Sequence, residues 1–253
     1  MQPNIEAPSL APIAVSVQGD QAATVRAIIE KGKRKKGLQI HNHFVQQPEG
    51  GKKKQPGILH KLVASGNERA LDLFLLHRLL AVKEPWEASL ENKVWARALG
   101  ISGSSSTSTI SRLFRRLTDM DLMDKSKNGR TPVYRALHDS GNGSSYEKTS
   151  DYLTIPLEYW TEDIWLTLGL PAKAVLLIFL SLPAQSYLPQ NQVSKWYGIS
   201  ADTLGKGVKQ LKELGFLEIS VKQEDDFLVA SKFRTQHYYT LKSPFQQMKG
   251  KRN

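Results

Sequence analysis

The sequence predicts a mainly α-helical fold with small β-hairpin wings, organised as two tandem domains. Two observations support this fold class. Apolar residues recur at intervals of three and four over several segments, which is typical of amphipathic helices on a core. The order of helices followed by one hairpin occurs twice, in residues 58–138 and 150–242.

Three helices are predicted in the first segment. Asn67 is a suitable N-cap for the first helix, and Ser89 for a second helix that ends at Gly100. The third helix is expected over 106–120. Its expected buried residues are Ile110, Leu113, Phe114 and Leu117.

Two short strands are predicted to follow, over 122–125 and 133–137. The Asn128–Gly129 step between them is a strong hairpin signal, because both residues tolerate the left-handed backbone of a tight turn.

The second segment repeats this order. Pro156 and Pro171 are expected at helix starts, and Gly198 and Gly215 at helix ends. The remaining predicted elements are helices over 190–197 and 201–214 and strands over 216–221 and 232–241.

Three other segments are predicted to lie outside these domains. Residues 1–57 form a basic, mostly disordered arm with a short helix near 21–31. Residues 139–149 have the composition of a flexible linker, and residues 243–253 form a basic tail.

The composition excludes several classes of protein. The 253 residues include no cysteine, so disulfide scaffolds, thiolate zinc fingers, iron–sulfur clusters and cysteine nucleophiles are excluded. The longest purely apolar run is 174–180, which is too short to cross a membrane, and no secretory signal is evident. We therefore expect no membrane contact and a cytoplasmic location.

Charge favours a nucleic-acid partner and indicates where it binds. The formal net charge is +11, from 35 basic and 24 acidic side chains. The first 60 residues carry nine basic and four acidic side chains, whereas residues 141–242 carry ten and eleven. The excess lies in the first half and the tails, where it favours contact with a polyanion.

An internal repeat carries a resemblance to a known family. Both segments contain Gly-Ile-Ser, at 100–102 and 198–200, followed by a Thr-apolar pair at Thr109 and Thr203. The interval from Gly to Thr is four residues longer in the first copy. The pattern resembles the winged helix-turn-helix family, which implies that each copy places its third helix in the DNA major groove.

Helical geometry and this resemblance together predict the residues that contact double-stranded DNA. At 100° per residue, the polar side chains of both third helices point outward, and the basic residues of the first hairpin are expected to face phosphates. The first helix supplies Ser108, Thr109, Arg112, Arg115 and Arg116; the first hairpin supplies Lys125, Lys127 and Arg130; the second helix supplies Thr203, Lys206, Lys209 and Gln210.

The two copies are expected to contribute unequally. The second hairpin carries Glu224, Asp225 and Asp226, which the DNA backbone would repel. The first copy is therefore predicted to supply most of the affinity. The alternative is that these charged faces are only solvated surfaces or that they bind partner proteins.

No enzymatic or cofactor site is predicted. The pair His41 and His43 lacks nearby cysteine and is a poor metal site, and His138 is interpreted as isolated. No phosphate-binding glycine loop or nucleophile elbow is present. Trp160 and Trp165 are explained better by core packing or a homodimer contact than by a ligand cage.

The function expected from these patterns is sequence-specific binding of double-stranded DNA in transcriptional regulation. Two alternatives stay open. Tandem winged helices are similar to plasmid or mobile-element replication initiators, which bind origin repeats, and winged helices also serve as protein-interaction scaffolds.

Overall fold

The computed structural model describes residues 11–49, 53–128, 131–225, 227–228 and 232–246. Over these residues the chain forms ten α-helices and ten strands in four small sheets, with 46% helix and 23% strand. The predicted fold class, mainly α with small wings, is therefore wrong, and the fold is an α/β mixture. Strand content is higher because two unpredicted two-stranded sheets form and the last ribbon has nine residues in each strand.

The N-terminal region is folded over residues 11–49 and 53–57, although the sequence predicted a mostly disordered arm over 1–57. Its first helix carries the buried residues Val25 and Ile28. Its elements are α1 (Ala11–Gly32), β1 (Leu38–His41), a 3-10 turn (Asn42–Phe44), β2 (Gln46–Glu49), β3 (Lys53–Pro56) and α2 (Leu59–Ala64). The disorder prediction fails because this region packs on distant residues: Gln21 donates to Ala98 O, and Arg97 donates to Thr24 Oγ1.

Arg34 lies in the middle of the basic run 31–36 and has a structural role. Its guanidinium donates to the backbone carbonyls of Arg78, Leu79 and Ala81 at the C-terminal end of a long helix. These carbonyls have no partners within their own helix, so the cation both satisfies them and complements the helix dipole. Burial is the main cause that lowers the pKa of Arg34 to about 10.

The first repeat unit follows as α3 (Glu68–Leu80), β4 (Glu87–Ala88), α4 (Asn92–Ala98), α5 (Ser106–Asp119), β5 (Met123–Asn128) and β6 (Thr131–Ala136). Its sheet has the strand order β4-β6-β5. Helix α3 begins after Asn67 and Gly100 is left-handed, as predicted. Ser89 is not the cap of α4, because the helix begins later and Glu91 takes that position.

The predicted flexible linker, residues 139–149, is fixed at its first residue and shortly after its end. Asp139 is fully buried: its Oδ1 lies 3.3 Å from Arg78 Nε and its Oδ2 accepts the His41 N–H. Strand β7 (Tyr152–Ile155) then pairs antiparallel with β1. Composition alone suggested coil, but the buried ion pair and the strand pairing fix this segment against the N-terminal region.

The second repeat unit has the same element order as the first, preceded by two short helices. The break between these helices lies at Asp163, whose φ is +54°. The elements are α6 (Glu158–Thr161), α7 (Ile164–Thr167), α8 (Leu170–Ser181), β8 (Gln185–Tyr187), α9 (Gln190–Tyr197), α10 (Ala201–Glu213), β9 (Leu217–Asp225) and β10 (Phe233–Leu241). The strand order β8-β10-β9 matches that of the first unit.

The two units share one hydrophobic cluster that also contains Trp160 and Trp165. Both tryptophans are 2% exposed, so they are core residues of this chain.

A buried ion cluster crosses between the units. Lys173 on α8 is 2% exposed, and its Nζ lies 2.7 and 2.9 Å from the carboxylate oxygens of Asp72 on α3. Glu68 Oε1 accepts a third bond from the same ammonium at 2.8 Å, and Glu68 Oε2 accepts the Leu170 N–H. Burial raises the pKa of Asp72 to about 6, against the opposing effect of Lys173.

Separating the members of this ion cluster should destabilise the protein strongly. We expect Asp72→Leu to lower the free energy of unfolding by about 3–5 kcal/mol, because it leaves a buried ammonium with only one, half-exposed carboxylate. Lys173→Met should cost a similar amount. The double variant should regain most of the loss, since it removes both buried charges. Urea unfolding measures all three, and strictly additive losses would contradict this coupling.

Candidate nucleic-acid interface

Helix α5 presents a polar and basic surface because its apolar residues are held on the opposite side. Ile110, Phe114 and Leu117 are fully buried, and Leu113 is nearly so. We call the outward residues the basic face of α5. These residues are Ser108, Arg112, Arg115 and Arg116, all exposed, and Thr109, half-buried. The structure therefore brings together all five residues predicted on this helix.

Aromatic packing fixes the orientation of α5. The Phe114 ring stacks on Tyr134 of β6 with centroids 3.6 Å apart and 6° between the planes. Trp95 of α4 meets Phe114 edge-on at 5.7 Å. Because these rings come from three elements, α5 has little freedom to rotate and expose a different face.

The turn between α4 and α5 is fixed by polar contacts. The Asn92 side-chain amide donates to Thr107 O at 3.2 Å and to Ser111 Oγ at 2.8 Å, which joins the start of α4 to α5. Gly100 has φ +64°, a value that favours glycine, and Ile101 N–H donates to Ala96 O. The longer interval found in the sequence is accommodated in this turn.

The three arginines of the basic face have no acidic partner among the residues that the structure describes. Within the described residues, none of Arg112, Arg115 and Arg116 has a carboxylate oxygen within 4 Å. Arg112 instead donates to Thr109 Oγ1 at 3.2 Å. Exposed guanidinium groups without an acidic partner are suited to bidentate contact with guanine or phosphate.

Arg116 also lies at the edge of a cleft. The cleft has a volume of about 500 Å³ and lies between α3, α5 and α7, with Leu166 and Lys173 among its lining residues. The C-terminal half of the basic face therefore reaches the junction between the two units.

The structure describes one of the three basic side chains predicted on the first ribbon, β5–β6. Lys125 is exposed, with its Nζ 6.0 Å from the centre of the Tyr134 ring. Arg135 is paired with Asp124 at 2.6 Å. Lys127 pairs with Pro132 through its backbone, and Arg130 lies outside the described residues.

Helix α10 differs from α5 in that both lysines predicted to contact DNA, Lys206 and Lys209, have acidic partners. Lys206 Nζ lies 2.7 Å from Asp202 Oδ2, and Lys209 Nζ lies 3.9 Å from Glu213 Oε1. Thr203 N–H donates to Ser200 Oγ, which caps the helix. These pairs reduce the positive potential of this face of α10.

Gln210 was predicted to contact a base, but the structure uses its amide internally. Oε1 accepts the Gly169 N–H at 3.1 Å, and Nε2 donates to Thr167 O at 2.9 Å. Both ends of the amide are thus bound to the turn between α7 and α8. Spacing along a helix gives the direction of a side chain but not its distant partners, so these contacts could not be predicted.

Gly207 explains how α10 approaches α8. A Cβ at this position would lie 2.5 Å from both Pro171 O and Val175 Cγ2. The glycine therefore permits close helix packing, whereas Gly205 faces open space.

The second ribbon carries exposed apolar residues that the sequence reasoning missed. Phe227 is 78% exposed and Leu228 is 98% exposed, between β9 and β10. The sequence shows the acidic residues of this ribbon. Hydrophobic periodicity does not apply to a turn, so it does not indicate which apolar side chains of the turn are exposed. This ribbon is therefore a different surface from the first one.

His138 is not isolated, contrary to its interpretation from the sequence. Its ring centroid lies 4.8 Å from that of His41, which in turn lies 4.1 Å from that of His43. Burial is the main cause that lowers the pKa of both His41 and His43. The three side chains are named here the histidine cluster. They meet because Asp139, the residue next to His138, accepts the His41 N–H of β1.

No model of a known protein family matches the chain, and no curated protein matches it. Among the described residues, no helix is both long and apolar enough to cross a membrane.

His77 of α3, behind α5, should make stability depend on pH. It is fully buried, Nε2 donates to Tyr134 O, and burial lowers its pKa to about 4. In the unfolded chain His77 becomes protonated near pH 6.5, whereas in the folded chain it stays neutral down to about pH 4. The free energy of unfolding therefore falls as pH decreases from 6.5 to 4. We expect wild type to lose about 3 kcal/mol more than His77→Gln over this range.

Urea unfolding at several pH values measures this difference. Comparison of the two proteins cancels the contribution of Asp72, whose raised pKa acts in the opposite direction. Parallel stability curves for the two proteins would contradict the assignment.

Proposed function

We propose that the protein binds double-stranded DNA with sequence preference, with the basic face of α5 as its main contact. The observation that carries the proposal is the set of three exposed arginines on a helix that aromatic packing holds in one orientation. In this proposal each repeat unit is a winged helix-turn-helix module, and α5 and α10 are the helices that enter the major groove.

The element order supports this proposal. Both units have the sequence helix, strand, helix, helix, strand, strand, and in both the last strand lies in the middle of the sheet. A helix held on its inner side by two other helices, with a polar outer side, fits the major groove. A β-ribbon beside that helix can reach the neighbouring phosphates or minor groove.

The charges support unequal roles for the two units. The arginines of α5 lack acidic partners within the described residues, whereas Lys206 and Lys209 of α10 are each near a carboxylate. DNA phosphates would have to compete with those carboxylates for the second unit. The first unit therefore supplies most of the affinity, and α10 a weaker second contact.

The biological role that we propose is transcriptional regulation from the nucleoid. Selection of bound fragments from the host genome tests it. A regulator should select operators that overlap promoters, whereas a replication initiator should select direct repeats beside an AT-rich stretch. Binding without sequence preference at physiological salt would instead favour a protein-interaction scaffold and overturn the proposal.

Removing two arginines from the first unit should impair binding far more than removing two lysines from the second. We expect Arg112→Ala plus Arg116→Ala to weaken specific binding by about 100-fold, since each arginine–guanine contact contributes roughly 1–3 kcal/mol of discrimination. The matched variant Lys206→Ala plus Lys209→Ala should lose less than about fivefold, because paired surface charges contribute little.

A fluorescence anisotropy titration on a selected fragment measures both variants. Circular dichroism melting provides the folding control, since all four side chains are exposed. The reverse ranking of the two variants would refute the proposed main contact.

Lys125 tests whether the first ribbon meets phosphates. Lys125→Ala should weaken binding to all sequences alike and reduce the slope of log affinity against log salt by about 0.9. The affinity ratio between specific and random fragments should stay unchanged. A salt slope equal to that of the wild type would exclude a phosphate contact at this position.

A further inference from the structure

The histidine cluster contains the donor atoms of a metal site. His41 ends β1, His43 lies in the adjacent 3-10 turn, and His138 follows β6 by two residues. One ring nitrogen from each histidine lies within 4.8 Å of the other two. His41 is 7% exposed and the other two are partly exposed, so an ion can reach the site from solvent.

Two of the rings accept backbone hydrogen bonds at Nδ1, which places their ring proton on Nε2 while no ion is bound. His41 Nδ1 accepts the His43 N–H at 3.0 Å. His138 Nδ1 lies 2.8 Å from Ser140 Oγ and 3.2 Å from Ser140 N. A neutral histidine binds an ion through the ring nitrogen that carries no proton, so each of these rings must give up its Nδ1 bond, and turn or move its proton to Nδ1, when an ion binds. Protons compete with the ion for these ring nitrogens, because a metal-binding histidine must be neutral, so affinity should rise with pH.

Asp151 supplies an oxygen beside the cluster. Its Oδ2 lies 4.0 Å from His43 Nε2, and its Oδ1 accepts a bond from the Asn42 side chain. Three imidazoles with a nearby carboxylate or water match the donors of tetrahedral zinc sites. Nitrogens bound to one zinc ion lie ~3.4 Å apart, so the rings must move inward by about 1 Å.

We propose that His41, His43 and His138 bind one divalent transition-metal ion of the zinc class. The ion joins the N-terminal region to the segment after β6. Composition alone assigned His41 and His43 to a disordered arm and placed His138 directly before a flexible linker. This site lies apart from the basic face of α5 and does not depend on the proposed DNA binding.

Isothermal titration of tag-free, EDTA-treated full-length protein with Zn²⁺ tests the proposal. Removal of the tag is necessary because a polyhistidine tag binds the same ions. We expect one equivalent of zinc per chain, with tighter binding at pH 8 than at pH 6. Co²⁺ should give the intense visible absorption of a tetrahedral site.

The variants His43→Ala and His138→Ala should each weaken zinc binding by about 100-fold, because loss of a ligand costs at least as much as loss of an orienting partner. His237→Ala is the matched control, since it removes an exposed imidazole on β10, and it should bind like wild type. Melting curves without metal show that each variant is folded. Failure of wild type to bind one equivalent, or undiminished binding by the double variant His43→Ala plus His138→Ala, would overturn the proposal.

Discussion

The buried ammonium of Lys173 is the constraint on which the arrangement of the two units depends. A charge in the interior must be paired, and its partners Asp72 and Glu68 both lie on α3 of the first unit. Glu68 also accepts the Leu170 N–H at the start of α8. The first turn of α8 is therefore tied to α3 by charge and by hydrogen bonding at once.

The same turn is bound from its other side by α10. Gln210 contacts Thr167 O and Gly169 N, and Gly207 lets α10 approach Pro171 closely. Helix α10 is thus linked through residues 167–173 to α3, against which α5 packs. One polar junction fixes the positions of both helices that we propose to contact DNA, so the two contacts cannot be adjusted independently.

Local features of the structure could be predicted from the sequence, whereas contacts between distant residues could not. The start of α3 at Asn67, the left-handed Gly198 and the buried side of α5 follow from capping and periodicity. The pairing of Leu38 with Ile155 and the bonds of Arg34 to the end of α3 have no local signal. These distant contacts turn a segment with the composition of a disordered arm into part of the fold.

The candidate site shows the same division. The outward direction of Arg112, Arg115 and Arg116 was predictable from helical geometry, because it needs only the buried stripe of α5. The engagement of Gln210 and the approach of His138 to His41 were not, since each requires a second segment to be in place. The net charge of +11 overstates the positive charge available to a partner, because Arg34 binds backbone carbonyls inside the protein.

The absence of cysteine allows the most direct test of the proposed contact. A single cysteine at Ser108 on α5, and another at Asp202 on α10, can each carry a tethered iron–EDTA group that cuts nearby DNA. If α5 lies in the major groove, the group at position 108 should cut strongly within a few base pairs inside the protected site, and the group at 202 more weakly. Strong cutting from 202 with none from 108 would contradict α5 as the main contact.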